Sequence, residues 1–103
     1  MWMALVLLCC GCAHQSPDAT AAFRRLQVHE ANVAHASTRL AAATSCSAET
    51  EKDEHTLCGA SDALCAESAT LASRDANVRC ERTRDACAAG RARRRVLCRA
   101  GTP

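Results

Sequence analysis

The sequence predicts an all-α protein, with one amphipathic helix followed by an antiparallel αα-hairpin stapled by nested disulfides. Three observations lead to this prediction. Much of the apolar content is alanine and cysteine, six cysteines lie symmetrically about one point, and opposite charges are segregated on either side of it. Alanine is the strongest helix former but buries little area. Only eleven large apolar residues follow residue 12, so covalent links must replace part of a core.

The six symmetric cysteines share a centre near residues 71–75. A chain that folds back there places the cysteines of three pairs opposite each other at the same time. Other pairings are formally possible, but only the nested one gives helical arms of matching length on both sides. The predicted pairs are Cys46 with Cys98, Cys58 with Cys87, and Cys65 with Cys80.

The angular positions of these cysteines around their helices support two of the predicted pairs more directly than the third. In the second arm, a predicted helix over residues 75–99, Cys80, Cys87 and Cys98 return to within about 20° of one helical face. Cys46 is out of phase with the rest of the first arm. We therefore expect Cys46 in a cap region, where the backbone can adjust to reach its partner.

The first helix is predicted over residues 17–44. A Ser-Pro-Asp sequence at residues 16–18 is typical of a helix start. The segment that follows lacks Gly and Pro, and Leu26, Val33 and Leu40 recur every seven residues. This narrow apolar stripe predicts an amphipathic helix that packs on the hairpin.

The hairpin is predicted over residues 46–98, with a frayed tail at 99–103. Ser47, followed by two acids, is typical of a helix N-terminus. Residues 59–62 include a glycine and are a site for a kink in the second helix. The turn is placed at residues 73–75 by the cysteine symmetry alone, because no Gly or Pro marks it.

Charge supports the same fold-back. The first arm carries six acids against one lysine, and the second carries nine arginines against three acids. Reflection about the common centre places Glu51 opposite Arg94 and Glu54 opposite Arg91. Exposed ion pairs are worth only ~0–1 kcal/mol each, so we expect them to select the register of the two arms.

The N-terminal residues read MWMALVLLCCGCA. The apolar run at residues 4–10 is too short to span a membrane and is typical of a signal-peptide core. Gly11 directly before Cys12, after leucine-rich sequence, resembles the lipobox of bacterial lipoproteins. An ordinary secretory signal and the apolar N-terminus of a cytosolic protein are the alternatives.

The lipobox resemblance covers residues 1–12 and implies a membrane-bound product. Residues 1–11 would be removed as a signal peptide, Cys12 would carry the lipid, and residues 12–16 would form a tether. Six cysteines then remain, an even number as a disulfide framework requires. In this family, Ala13 in place of an aspartate favours the outer membrane over the inner one.

The run RCERTRDACAAGRARRRVLC resembles Cys- and Arg-rich helices of small uncharacterised lipoproteins from high-GC Gram-negative bacteria. The single lysine against twelve arginines agrees with that coding bias. The nested pairs also share the architecture of the CHCH domain, although paired cysteines are separated by nine residues there and by six here. Neither resemblance implies an activity.

Other chemistries find little support in the sequence. The predicted mature chain has no closely spaced cysteine pair of the kind that zinc or redox sites use, and no H-E-x-x-H motif. Each histidine is expected to be solvated or partly packed. They are His14, His29, His35 and His55. We therefore predict no catalytic residue, no metal site and no cofactor.

The arginines at residues 91–95, with Arg99, have several possible roles. They can balance the helix dipole and the acidic arm, or bind an anionic envelope polymer or lipid. Nucleic acid is disfavoured, because an exported chain rarely meets it and no aromatic residues are interleaved.

The sequence therefore predicts a small lipoprotein of the cell envelope with a non-catalytic structural or interaction role. Its partners would be the membrane, through lipid on Cys12, and an envelope protein or anionic polymer. No nucleic acid and no small-molecule substrate are expected. A secreted disulfide-rich helical-hairpin binder, inhibitor- or toxin-like, and a cytosolic metal or nucleic-acid binder are the alternatives.

Overall fold

The computed structural model describes residues 17–100, and nearly all of them are helical. Helix α1 spans Pro17–Ala42, α2 spans Ala48–Leu71 and α3 spans Arg74–Ala100. No strand occurs between residues 17 and 100. The predicted all-α class is confirmed.

Helix α2 begins at the predicted cap. Ser47 has extended backbone, and its Oγ accepts a hydrogen bond of 3.2 Å from the backbone N–H of Thr50. The Thr50 hydroxyl in turn donates to the carbonyl of Ser45 at 2.9 Å. These bonds satisfy a free helix-end donor and fix the loop between α1 and α2.

Helix α2 is not interrupted at residues 59–62, where a kink was predicted, and continues through them as α-helix. Gly59 is exposed, and the residues on either side of it are held by α3: Cys58 through a disulfide and Ser61 through a hydrogen bond of 3.2 Å to Thr83. A helical glycine costs about 1 kcal/mol relative to alanine. The bonds to α3 outweigh that cost.

The connection between α2 and α3 is two residues long. Ala72 adopts the left-handed conformation, with φ 47° and ψ 35°. Ser73 then caps α3, because its Oγ accepts from the backbone N–H of Ala76 at 3.4 Å. The turn therefore lies slightly before the predicted position at residues 73–75. At the other end, α3 extends to Ala100, so the predicted tail at 99–103 begins inside the helix.

Buried residues in α1 and α3 recur at steps of three, four or seven, the spacing of coiled-coil bundles. Helix α2 follows the same spacing except that Leu57 and Cys58 are adjacent. In α1 they include the predicted stripe and two alanines. They are Ala22, Leu26, Val33, Ala36 and Leu40. In α3 nearly all of the buried side chains are small. They are Ala76, Cys80, Thr83, Cys87, Gly90 and Leu97. The large apolar side chains of the core therefore come mainly from α1 and α2.

The core consists of two clusters, and each contains disulfide cysteines. The first joins aliphatic side chains of α1 and α2 to Cys58 and Cys87. The second joins Leu26 of α1 and Leu64 of α2 to Cys80. The cysteines thus have two roles, since they cross-link the helices and also fill core positions that would otherwise hold aliphatic side chains.

Candidate functional site

Three disulfides link α3 to α2 and to the loop before α2. They join Cys46 to Cys98, Cys58 to Cys87 and Cys65 to Cys80, with Cα–Cα distances of 4.6, 4.9 and 4.8 Å. These distances lie in the ordinary range for cystines. The prediction that these cysteines form disulfide bonds is confirmed.

The three disulfides differ in solvent exposure. Cys46 is exposed in the loop between α1 and α2, and its partner Cys98 is half-buried. Both members of the middle pair, Cys58 and Cys87, are buried. The Cys46–Cys98 bond is therefore the most accessible to other thiols, and the middle bond is the least accessible.

Acidic side chains of α2 contact the arginine-rich end of α3. Glu54 accepts a hydrogen bond of 2.5 Å from Arg94 and lies 3.8 Å from Arg91, and Glu51 lies 4.0 Å from Arg94. Both contacts predicted by reflection therefore occur. The hydrogen bond to Glu54 is the main cause that raises the pKa of Arg94 above its ordinary value.

Helix α1 supplies two further ion pairs that the sequence analysis missed. Arg25 Nε lies 2.6 Å from Glu67, and Arg39 Nε lies 3.0 Å from Asp53. The sequence contained a signal for these pairs. Arg25 and Arg39 are fourteen residues apart, as are Asp53 and Glu67, so both ion pairs are centred on the same point of the sequence. The symmetry argument applied to the cysteines would have found both pairs.

Contacts between α1 and α3 determine which ends of these helices lie together. The Arg79 guanidinium lies 5.8 Å from the centroid of the Phe23 ring and 3.6 Å from Glu30. Further along α3, Arg93 donates a hydrogen bond of 2.8 Å to the carbonyl of Ala43, just beyond the end of α1. The arginine-rich end of α3 thus lies at the end of the molecule farthest from Pro17.

This basic end is the strongest charge feature of the described residues. Residues 86–100 include five arginines and no acid. A shallow recess of about 430 Å³ lies beside Cys98, and its other lining residues are Glu54, Arg91, Arg94 and Arg95. Guanidinium groups lined up beside a recess are suited to binding carboxylates or other anions.

An apolar groove of about 360 Å³ separates α1 from α3. Leu40, Leu57 and Gly90 contribute to its walls. Two polar atoms at its edge, Ser37 Oγ and Arg93 Nε, are buried without a hydrogen-bond partner.

The remaining candidate residues are dispersed or lie outside the described range. His29 is half-buried, and His35 and His55 are exposed. Within residues 17–100, no three His, Cys, Asp or Glu side chains are arranged to hold a metal ion, and no helix has the length and hydropathy needed to span a bilayer. Cys12, the predicted lipidation site, and His14 lie outside the described residues.

No family model, curated protein or solved structure matches this chain. The fold and the site define a disulfide-linked, three-helix protein with a basic end.

Proposed function

We propose that this chain is a small lipoprotein of the cell envelope with a non-catalytic structural or interaction role. The observation that carries the proposal is the set of three disulfides between α3 and the α2 region. Disulfides form and persist in oxidising compartments and are rare in the bacterial cytosol. The lipobox-like Gly11-Cys12 supports the membrane anchor, and Ala13 favours the outer membrane over the inner one.

We also infer that α2 and α3 form an antiparallel hairpin with nested disulfides. The bonded cysteines are separated by 15, 29 and 52 residues about a shared centre. The contacts of Glu51 and Glu54 with arginines of α3 support the same register. Such a hairpin would be held rigid without a large apolar core, which suits a protein exposed to the envelope environment.

An interaction role is favoured over catalysis by the kinds of residue available. The sequence has no H-E-x-x-H, no C-x-x-C in the predicted mature chain and no phosphate-binding loop. What it has in abundance is charge on helical faces, which steers and orients partners. We propose an envelope protein or an anionic envelope polymer as the partner.

The decisive experiment is metabolic labelling with a fatty acid in the native host. Wild-type protein and a Cys10→Ser variant should incorporate the label, whereas Cys12→Ser should not. The Cys10 variant is the matched control, because it removes a neighbouring thiol and leaves the Gly11-Cys12 sequence intact. Exported protein without label would favour the secreted binder instead.

Peptide mapping of the same samples without reductant tests the compartment and the hairpin. Recovery of the three cross-linked peptide pairs from native material is the expected result. Six free thiols, or a bond between Cys46 and Cys58, would contradict the proposal. A reduced chain that folds only when zinc is added would favour the cytosolic metal-binding alternative.

A further inference from the structure

We propose that the arginine face of α3 binds a linear polymer bearing carboxylate groups. This inference rests on the proposed envelope function and names the partner of that surface. The surface, called the arginine stripe below, consists of Arg84, Arg91, Arg95 and Arg99. All four residues are exposed, and they fall within an arc of about 80° over a length of about 22 Å.

The intramolecular ion pairs leave much of this charge available. Four of the six acids of α2 contact arginines of other helices. They are Glu51, Asp53, Glu54 and Glu67. Within the stripe, Arg91 lies 3.8 Å from one of these acids, Glu54. Neither Arg84 nor Arg95 has an acidic partner within residues 17–100.

The helix dipole does not account for the stripe. Cations stabilise a helix C-terminus through the carbonyl groups of its last turn, and the effect decays within that turn. Arg99 lies there, but Arg84 and Arg91 lie two or more turns earlier in α3. A need to balance the dipole would therefore explain only one end of the surface.

Glu54 shows that the arginines at this end of α3 bind a carboxylate. It is the anionic group found against the basic end of α3, where it accepts a hydrogen bond from Arg94 and approaches Arg91. A guanidinium presents paired N–H donors that match the two oxygens of a carboxylate. Because the stripe continues past Glu54 in both directions, a chain carrying carboxylates at intervals could extend the same pairing.

Two observations favour a polymer over the anchoring bilayer. Arg93, between the stripe residues Arg91 and Arg95, bonds to Ala43, so this part of the stripe is level with the end of α1. That end is about 39 Å from Pro17, where the lipid tether would enter. In addition, the residues between the stripe's arginines on the same face are Ala88 and Ala92. A helix that binds a bilayer needs large apolar side chains to insert.

The test measures binding of the full chain, with disulfides intact and in neutral detergent, to polygalacturonate. With the slope of about 0.7 per contact that applies to single strands, three to four charge contacts predict that affinity falls about 20- to 50-fold between about 50 and 200 mM salt. The variant Arg84→Gln/Arg95→Gln should bind about tenfold more weakly at low salt, with a shallower salt dependence. Circular dichroism should show unchanged helix content.

The matched control is Arg24→Gln/Arg82→Gln, which removes the same charge from exposed residues off the stripe. Arg24 lies on α1, and Arg82 lies on the opposite side of α3. This variant should bind polygalacturonate within about twofold of the wild type, because it keeps every arginine of the stripe. Attraction that depended on total charge alone would weaken both variants equally. Equal loss in both variants, or no binding by the wild type, would overturn the proposal.

Two further probes test the choice of partner. Tighter binding to polyphosphate of equal charge would show that the carboxylate assignment is wrong. A preference for phosphatidylglycerol over phosphatidylcholine vesicles that depends on the stripe and exceeds polymer binding would identify a membrane surface instead. Neutral vesicles report any lipid anchor separately, so a failed anchor and a failed polymer site give different results.

Discussion

Gly90 and Leu57 lie so close that a β-carbon on Gly90 would fall 2.5 Å from Leu57 Cδ2. The same β-carbon would meet Leu40 Cδ1 at 3.0 Å. Both leucines are essentially fully buried, so neither can move without disturbing the core. The absence of a side chain at Gly90 lets α3 approach the leucines of α1 and α2.

Substitution of this glycine should therefore destabilise the protein. Alanine normally gains about 1 kcal/mol over glycine inside a helix. At residue 90, overpacking should cost about 1–3 kcal/mol, which leaves Gly90→Ala less stable than the wild type. Gly59→Ala is the matched control, since a β-carbon there has nothing within 4 Å. It should gain about 1 kcal/mol. Denaturant unfolding of the oxidised proteins measures both, and a stabilised Gly90→Ala would contradict the packing.

The left-handed conformation of Ala72 predicts a stabilising substitution. An alanine with φ 47° is strained by its β-carbon, whereas glycine adopts this region freely. Ala72→Gly should therefore raise the unfolding free energy by about 1 kcal/mol. Ala66→Gly, at an exposed position inside α2, should lower it by about 1 kcal/mol. Thermal unfolding that shifts both variants in the same direction would argue against the turn.

The symmetric positions of the cysteines allowed the fold to be predicted from the sequence. The residues between α2 and α3 gave no signal of a turn. A disulfide prediction carries information about distant residues, so Cys65 and Cys80 located the boundary between α2 and α3 to within a few residues. Ala72 has no turn signal, because the position that favours glycine is occupied by alanine. The connection could be placed by reflection but not by its own residues.

Small residues concealed the packing of α3. Thr83 and Gly90 are core residues here, yet their type indicates neither burial nor exposure. The cysteines indicated one face of α3 in the sequence, but the burial of Thr83 and Gly90 beside them became visible only when its neighbours were known. The basic end could be predicted from composition, but which arginines remain available depends on Glu54 and the other acids of α2. Which arginines are paired and which remain available therefore depends on how the helices are aligned in three dimensions.

Glu54 should contribute more to stability than an isolated acid of α2. Its side chain is 16% exposed, between Arg91 and Arg94. Glu54→Gln should cost about 1–2 kcal/mol at low salt, because it removes a charge-assisted hydrogen bond and leaves two cations adjacent. Asp62→Asn, at an exposed position of α2, should change stability by less than about 0.5 kcal/mol.

Salt separates this charge effect from packing. The cost of Glu54→Gln should shrink at about 1 M salt, where charges are screened over about 3 Å. The small effect of Asp62→Asn should stay small. A penalty for Glu54→Gln that does not change with salt would show that the carboxylate acts through shape rather than charge.

Partial reduction should open the Cys46–Cys98 bond first. Exchange requires a thiolate to reach a disulfide sulfur, so access controls the order. Cys46 is exposed, whereas Cys58 and Cys87 are 7% and 8% exposed. Limited treatment with a dithiol, followed by alkylation and peptide mass mapping, should label Cys46 and Cys98 before the others. Labelling of Cys58 and Cys87 first would contradict the burial of the middle bond.

Replacing both cysteines of a disulfide should destabilise the protein more when that disulfide lies in the core. Cys46→Ala/Cys98→Ala removes a cross-link at the edge of the molecule and should cost about 3 kcal/mol. Cys58→Ala/Cys87→Ala removes a cross-link and also two buried sulfurs from the cluster that contains Leu40. A cavity adds to the lost cross-link, so the second variant should lose about 1–2 kcal/mol more. Denaturant unfolding measures the difference, and the reverse ranking would show that Cys58 and Cys87 contribute through chain constraint alone.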